Sequence, residues 1–144
     1  MYALHVIEEL MFDWRGWARA ILKLPVEWNS FYVTNAAVMV LGIVAANRAD
    51  SFPSLALAFP ALMIVNAVFF HVVPFAVTRG RFSPGLITAI ALFLPTGLWC
   101  YHAASVAGIL SSEAFWISAL LGALLMAFPV VLLKLSRHAY FQQT

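Results

Sequence analysis

Of the chain's 144 residues, 64% are hydrophobic and 10% charged, with a formal net charge of +2 and a mean hydropathy of +0.93. A soluble domain is roughly half apolar and about a quarter charged, so these side chains cannot cover a soluble surface and are far too apolar for disorder. The weak positive charge, with no dense basic run, excludes a nucleic-acid partner. The single cysteine, Cys100, excludes an intrachain disulfide and a multi-cysteine metal site, and reads as a buried small side chain. What remains is an integral membrane protein whose first partner is the lipid bilayer.

Residues 2–24 place Leu4, Ile7, Leu10, Trp14, Trp17 and Ile21 at three- and four-residue spacings, the mark of a helix. Ionisable side chains interrupt every long apolar run there. An amphipathic helix inserted partway is therefore expected, with Arg15, Arg19 and Lys23 among the headgroups. The segment lacks the charged start and small-residue cleavage site of a signal peptide, so the spans themselves are expected to direct insertion.

Four stretches then approach the roughly 20 residues that a spanning helix needs: 29–46, 55–77, 86–109 and 114–133. Pro60, Pro74, Pro95 and Pro129 fall inside them, where neighbours can satisfy the carbonyls they free. Continuous apolar runs of this kind are not barrel strands. Ser83-Pro84-Gly85 reads as an N-cap followed by proline at the first helical position of the third span. Trp14, Trp17, Trp28 and Trp116 fall near expected interfaces, and Trp99 lies deeper, facing lipid. The loops at 47–54 and 78–85 have eight residues each and that at 110–113 has four, too short for a soluble domain. The predicted fold is all-α: one polytopic membrane helix bundle over 1–144, with four full spans and a partly inserted N-terminal amphipathic helix.

Charge sets the expected orientation. Arg15, Arg19 and Lys23, then Arg79 and Arg81, then Lys134 and Arg137 all fall on one side of a four-span protein. The opposite loops hold Arg48 with Asp50, and Glu113. The positive-inside rule puts the basic side, and the C-terminus, in the cytoplasm of a multi-pass inner-membrane protein.

Ionisable groups at membrane depth cost at least ~2.5–3.5 kcal/mol each at the centre of a span. His5, Glu8 and Glu9 share one helix face through offsets of three and four residues. They form either a site or the wet side of an amphipathic helix. Asn35 and His71 each lie about 10 Å in from the basic side, and Asn66 is five residues deeper than His71. If Arg15 marks the interface, Glu8 and Glu9 reach about 9–11 Å and His5 about 15 Å. Polar groups from three segments thus meet at one level, as in a buried bundle site. Each asparagine alone also reads as interhelical glue, and His71 as a neutral histidine bonded to a carbonyl. His102 reads as interfacial, His138 as following the last span, and Glu27 as favouring a helix N-terminus.

His5-Val6-Ile7-Glu8-Glu9, Asn35, His71 and Phe82-Ser83-Pro84-Gly85 together resemble the HXXEE family of small bacterial membrane proteins, over residues 5 to 85 in order. Phe82 stands where the family's turn carries tyrosine, so no phenolic hydroxyl acts there. The resemblance implies a site at these residues and transfers no activity.

Two histidines and one carboxylate suit zinc or non-haem iron(II) with open positions. His5, Glu9 and His71 are the candidate ligands. Glu8, Glu9 and His71 are the candidate catalytic groups, with Asn35 and Asn66 orienting the ligand. The reading is a membrane-embedded enzyme (a hydrolase, oxidase or isomerase) acting on a lipidic or isoprenoid-like molecule. A metal-free variant uses the same carboxylates for acid–base chemistry. The alternatives are a proton- or cation-coupled transporter or binding protein, with dimerisation completing four spans, and an accessory subunit whose polar residues fix helix contacts.

Overall fold

A computed structural model describes residues 1–49 and 51–135; Arg137 and His138 lie outside the described residues. Among these residues there are six helices and no strand. They are α1 (Tyr2–Met11), α2 (Trp14–Trp17, continued by a π-helical turn, Ala18–Leu22), α3 (Trp28–Ala46), α4 (Pro53–Val77), α5 (Leu86–Val106) and α6 (Ser112–Leu135). The last four are long and apolar enough to cross a membrane. This is the all-α, four-span build of a multi-pass membrane protein.

The bundle is inside out by soluble standards. Only 11% of the α6 span and 17% of α3 are buried, against 44% of α4, which is therefore the central helix. Val33, Ile43, Phe69, Trp99 and Trp116 are exposed, an apolar surface that lipid accommodates and water does not. Small residues let the backbones approach α4. A Cβ on Gly122 of α6 would stand 2.5 Å from that of Ala61, and one on Gly97 of α5 would stand 3.1 Å from the Pro60 carbonyl oxygen.

The N-terminal segment is two helices where its periodicity predicts one. Asp13 adopts a left-handed conformation (φ 54°) and its carboxylate accepts from the Gly16 amide at 3.1 Å, ending α1 and starting α2. The bend has a second consequence. Trp14 and Trp17, expected at an interface, are 7% and 9% exposed and stack together, with the Trp14 ring 5.6 Å from that of His71. Cys100, expected to be buried, is half-buried. Glu27 precedes α3 without capping it; its carboxylate pairs instead with Arg19 and, at 3.5 Å, with Arg15.

Proline shapes the two helices that carry the centre of the molecule. α4 passes through a π-helical turn at Ala67–Val72 and α5 through one at Ala89–Phe93. Each turn ends two residues before a proline, Pro74 or Pro95. A proline ring collides with the carbonyl four residues earlier, and a wider turn relieves the collision. Pro74 cannot donate to the Phe70 carbonyl; the Ser83 hydroxyl does so, at 3.3 Å. Ser83 is thus committed to α4 and is not the expected cap of α5. That helix begins at Leu86, after Gly85 at φ 93°.

Candidate metal centre

On α1, His5, Glu8 and Glu9 occupy one face and are 1%, 7% and 4% exposed. This face packs against the junction of α4 and α5, where the π-helical turn of α4 presents His71, wholly buried. The imidazoles of His5 and His71 meet edge to face with ring centres 4.9 Å apart. Glu9 reaches both: its Oε1 lies 3.6 Å from His5 Nε2 and 3.7 Å from His71 Nε2. One ligand atom from each of the three residues falls within 4.8 Å of the other two.

One arrangement of protons fits the contacts at both rings. The Thr88 hydroxyl has one hydrogen, and the Glu8 carboxylate takes it at 2.6 Å. The contact between His5 Nδ1 and Thr88 Oγ1 at 2.8 Å is therefore donated by the histidine. The Ser83 hydroxyl lies 3.3 Å from the Phe70 carbonyl and 3.0 Å from His71 Nδ1; when it donates to the carbonyl, it accepts from the ring. In this arrangement both neutral rings carry their proton on Nδ1, and each Nε2 keeps a lone pair. Neither Nε2 has a hydrogen-bond partner among the described residues. Two lone pairs and a carboxylate oxygen then face one another, at 3.6 and 3.7 Å from Glu9 Oε1, too long for a proton on Glu9 to bridge.

A buried group of this kind could hold a metal ion. Ligand atoms at ~2.0–2.2 Å from one tetrahedral ion stand roughly 3.3–3.6 Å apart, close to the two distances from Glu9. The hydroxyls behind the rings are the outer support that metal-binding histidines ordinarily have. The floor is Gly85: a Cβ there would come 2.6 Å from His71 Cε1, 2.8 Å from His5 Cε1 and 3.1 Å from Glu9 Cγ. Only a residue without a side chain lets the turn approach all three.

Glu8, one residue away, is differently employed. Its carboxylate accepts from the Ile87 amide at 3.0 Å and the Thr88 amide at 2.7 Å, in addition to the Thr88 hydroxyl. These are unpaired donors at the start of α5, where a negative charge is also favoured by the helix dipole. Glu8 thus caps a helix from another segment and shares the Thr88 hydroxyl with His5.

A family model described as "Protein of unknown function with HXXEE motif" matches residues 1–100. The chain belongs to the HXXEE family. The named histidine and two glutamates are His5, Glu8 and Glu9, so the motif's two carboxylates divide here between the cation enclosure and the helix cap. The matched region runs from α1 into α5 and contains the whole enclosure; α6 lies beyond it. No curated protein and no solved structure matches the chain.

In this HXXEE protein the asparagines lie beside the enclosure, not in it. Asn66 lies within hydrogen-bonding reach of the His5 ring, and its Nδ2 donates to Met126 Sδ at 3.7 Å. Asn35 Oδ1 accepts from the Tyr2 hydroxyl at 2.6 Å, while its Nδ2 donates to the Phe31 carbonyl at 2.9 Å. Both asparagines, with Tyr2 and Glu9, line a cleft enclosing about 680 Å³ of space, part of it open to the outside. His102 is exposed on α5, apart from the site. Tyr2 and Thr88 carry no sequence signal, being ordinary residues in helices. Gly85 has one, since a glycine after proline at a span start marks a turn.

Proposed function

We propose that the protein is a membrane-embedded, metal-dependent enzyme acting on a lipidic or isoprenoid-like molecule. The observation that carries this reading is the buried convergence of His5, His71 and Glu9, one ligand atom from each lying within 4.8 Å of the other two. The chemistry of that donor set fits zinc or iron(II). A divalent ion held there supplies Lewis acidity with positions left for a ligand.

The chain's own residues do the rest. Thr88 and Ser83 hold the imidazoles by Nδ1, and Gly85 lets them converge. Glu9 is the member of the set that also lines the cleft, so it is where a bound molecule meets the centre. Asn66 and Asn35 stand in the same wall and orient that molecule. Glu8 acts at one remove, as a positioning residue. The apolar surroundings support a substrate that arrives from the bilayer, and the charge of the loops favours a site toward the cytoplasmic side of an inner membrane.

Elemental analysis of protein purified in mild detergent tests the reading. About one equivalent of zinc or iron is expected in the wild type, with loss in His71→Gln and Glu9→Gln at unchanged melting temperature. Wild type without metal, together with early melting of both variants, would instead make the cluster structural glue whose removal strands a buried partner at about 1–3 kcal/mol.

A further inference from the structure

The π-helical turn of α4 does more than accommodate Pro74. It begins immediately after Asn66 and contains His71, and the Val73 amide that follows it donates five residues back, to the Val68 carbonyl. In an α-helix, residues five apart point about 140° from each other. A π-helical turn absorbs one extra residue, which brings such a pair to about 40°, on one face. Asn66 and His71 thus look the same way, toward α1. The turn presents two polar side chains to the site where a regular helix would present one.

A contact on α1 fixes where Asn66 stands. Its side chain lies within hydrogen-bonding reach of the His5 ring. Nδ1 of that ring faces Thr88 at 2.8 Å, so Asn66 stands on the Nε2 side, which is also the side of Glu9 Oε1. Its Nδ2 is turned to Met126 Sδ at 3.7 Å, and its buried Oδ1 is left for the side of the ring. Asn66 and Glu9 line the same cleft as well. Ligand atoms on one ion stand roughly 3–3.6 Å apart, the range of a long hydrogen bond. A place from which the amide oxygen reaches His5 Nε2 is therefore also a place on the ion. We propose that Asn66 Oδ1 is the fourth protein ligand of the metal centre. This deepens the function proposed above and rests on its reading of His5, Glu9 and His71 as ligands. Two imidazoles, a carboxylate and an amide oxygen would close a tetrahedral zinc, as in structural sites, but leave a six-coordinate iron(II) with open positions. The completed set therefore suits a catalytic iron(II) better than a catalytic zinc.

Cobalt(II), a coloured stand-in for either ion, is the probe. The full chain in a Cys100→Ser background is purified in mild detergent, freed of metal with a chelator and titrated with cobalt(II). Asn66→Cys should give a near-ultraviolet thiolate-to-cobalt charge-transfer band, because its sulfur is then bonded to the ion. Asn35→Cys should give none, since Asn35 lines the same cleft but is hydrogen-bonded to Tyr2 and the Phe31 carbonyl. Asn66→Leu, which keeps volume, should weaken cobalt binding at least about tenfold, and Asn66→Asp, which restores an oxygen ligand, should recover it. Equal cobalt affinity in Asn66→Leu and wild type, with no band in Asn66→Cys, overturns the fourth ligand and leaves the other three standing. Weakened binding in Asn66→Leu without a band in Asn66→Cys also overturns it, making Asn66 a support of the His5 ring. Wild type that takes up no cobalt overturns the metal-dependent reading together with this one.

Discussion

Gly85→Ala is the sharpest perturbation of the cation enclosure, because it alters no ligand. The new methyl would stand 2.6 Å from His71 Cε1 and 2.8 Å from His5 Cε1, whereas relaxed carbon contacts lie at about 3.5–4.0 Å. Each ring must therefore retreat by roughly 1 Å. Neither has room: both histidines are at most 1% exposed, and their Nδ1 atoms are tied to Thr88 and Ser83. The backbone adds a second cost of about 1–3 kcal/mol, since φ at this position is +93°. Gly108→Ala separates the two effects. Its φ is +71°, yet nothing lies within 4 Å of its added Cβ. Both variants should lower the melting temperature, but only Gly85→Ala should weaken metal binding. The expected loss is about 10–100-fold, the usual effect of disturbing the support of metal ligands. Competition with a chromophoric chelator measures it. Metal affinity in Gly85→Ala within about threefold of Gly108→Ala would refute the convergence of the two imidazoles over Gly85.

The adjacent glutamates should part company. Glu8→Gln loses a charged acceptor of three hydrogen bonds and should destabilise by about 1.5–3 kcal/mol in chemical or thermal unfolding; Glu9→Gln should keep or raise stability while losing metal, because a buried carboxylate is retained at a desolvation cost. Equal melting shifts in the two would contradict the division of roles. Thr88→Val removes the acceptor of His5 Nδ1–H at nearly constant volume, and metal affinity should fall about 10–100-fold with the helices intact by circular dichroism. For orientation, Arg81→Cys in a Cys100→Ser background should resist impermeant thiol reagents in intact cells and react after permeabilisation; labelling from outside would reverse the topology.

The four spans were legible because a bilayer imposes a length, and uninterrupted apolar runs satisfy it whatever their tertiary neighbours. The break at Phe12–Asp13 was not legible from periodicity, since Leu10, Trp14, Trp17 and Ile21 continue the helical spacing straight through it. The signal lay in capping chemistry instead: Asp13 stands three residues before Gly16, whose amide it accepts. Ser83 shows the converse error. A serine before proline satisfies the local rule for an N-cap, but the α5 terminus receives a full negative charge from α1, and Ser83 is drawn to the carbonyl freed beside Pro74. Local rules fail where another segment offers a stronger partner.

That competition also explains how far spacing could take the site. Counting residues put His5, Glu9, His71 and Asn35 at one level, because the helical rise is fixed and the spans run antiparallel. Counting could not divide Glu8 from Glu9. Neighbours on a helix point about 100° apart, and which direction meets His71 and which meets the start of α5 depends on how α1 is rotated against the bundle. The i, i+4 offset from His5 favours Glu9 as the partner in a shared stripe. The rotation then leaves Glu8 facing the Ile87 and Thr88 amides. The two roles are mechanically linked: Glu8 anchors α1 to α5, and the anchor holds Thr88 against His5. The double variant Glu8→Gln with Glu9→Asp should therefore lose more metal affinity than the two single losses combined, because the shortened ligand then sits on a helix no longer pinned at its next residue; a merely additive loss would refute the link.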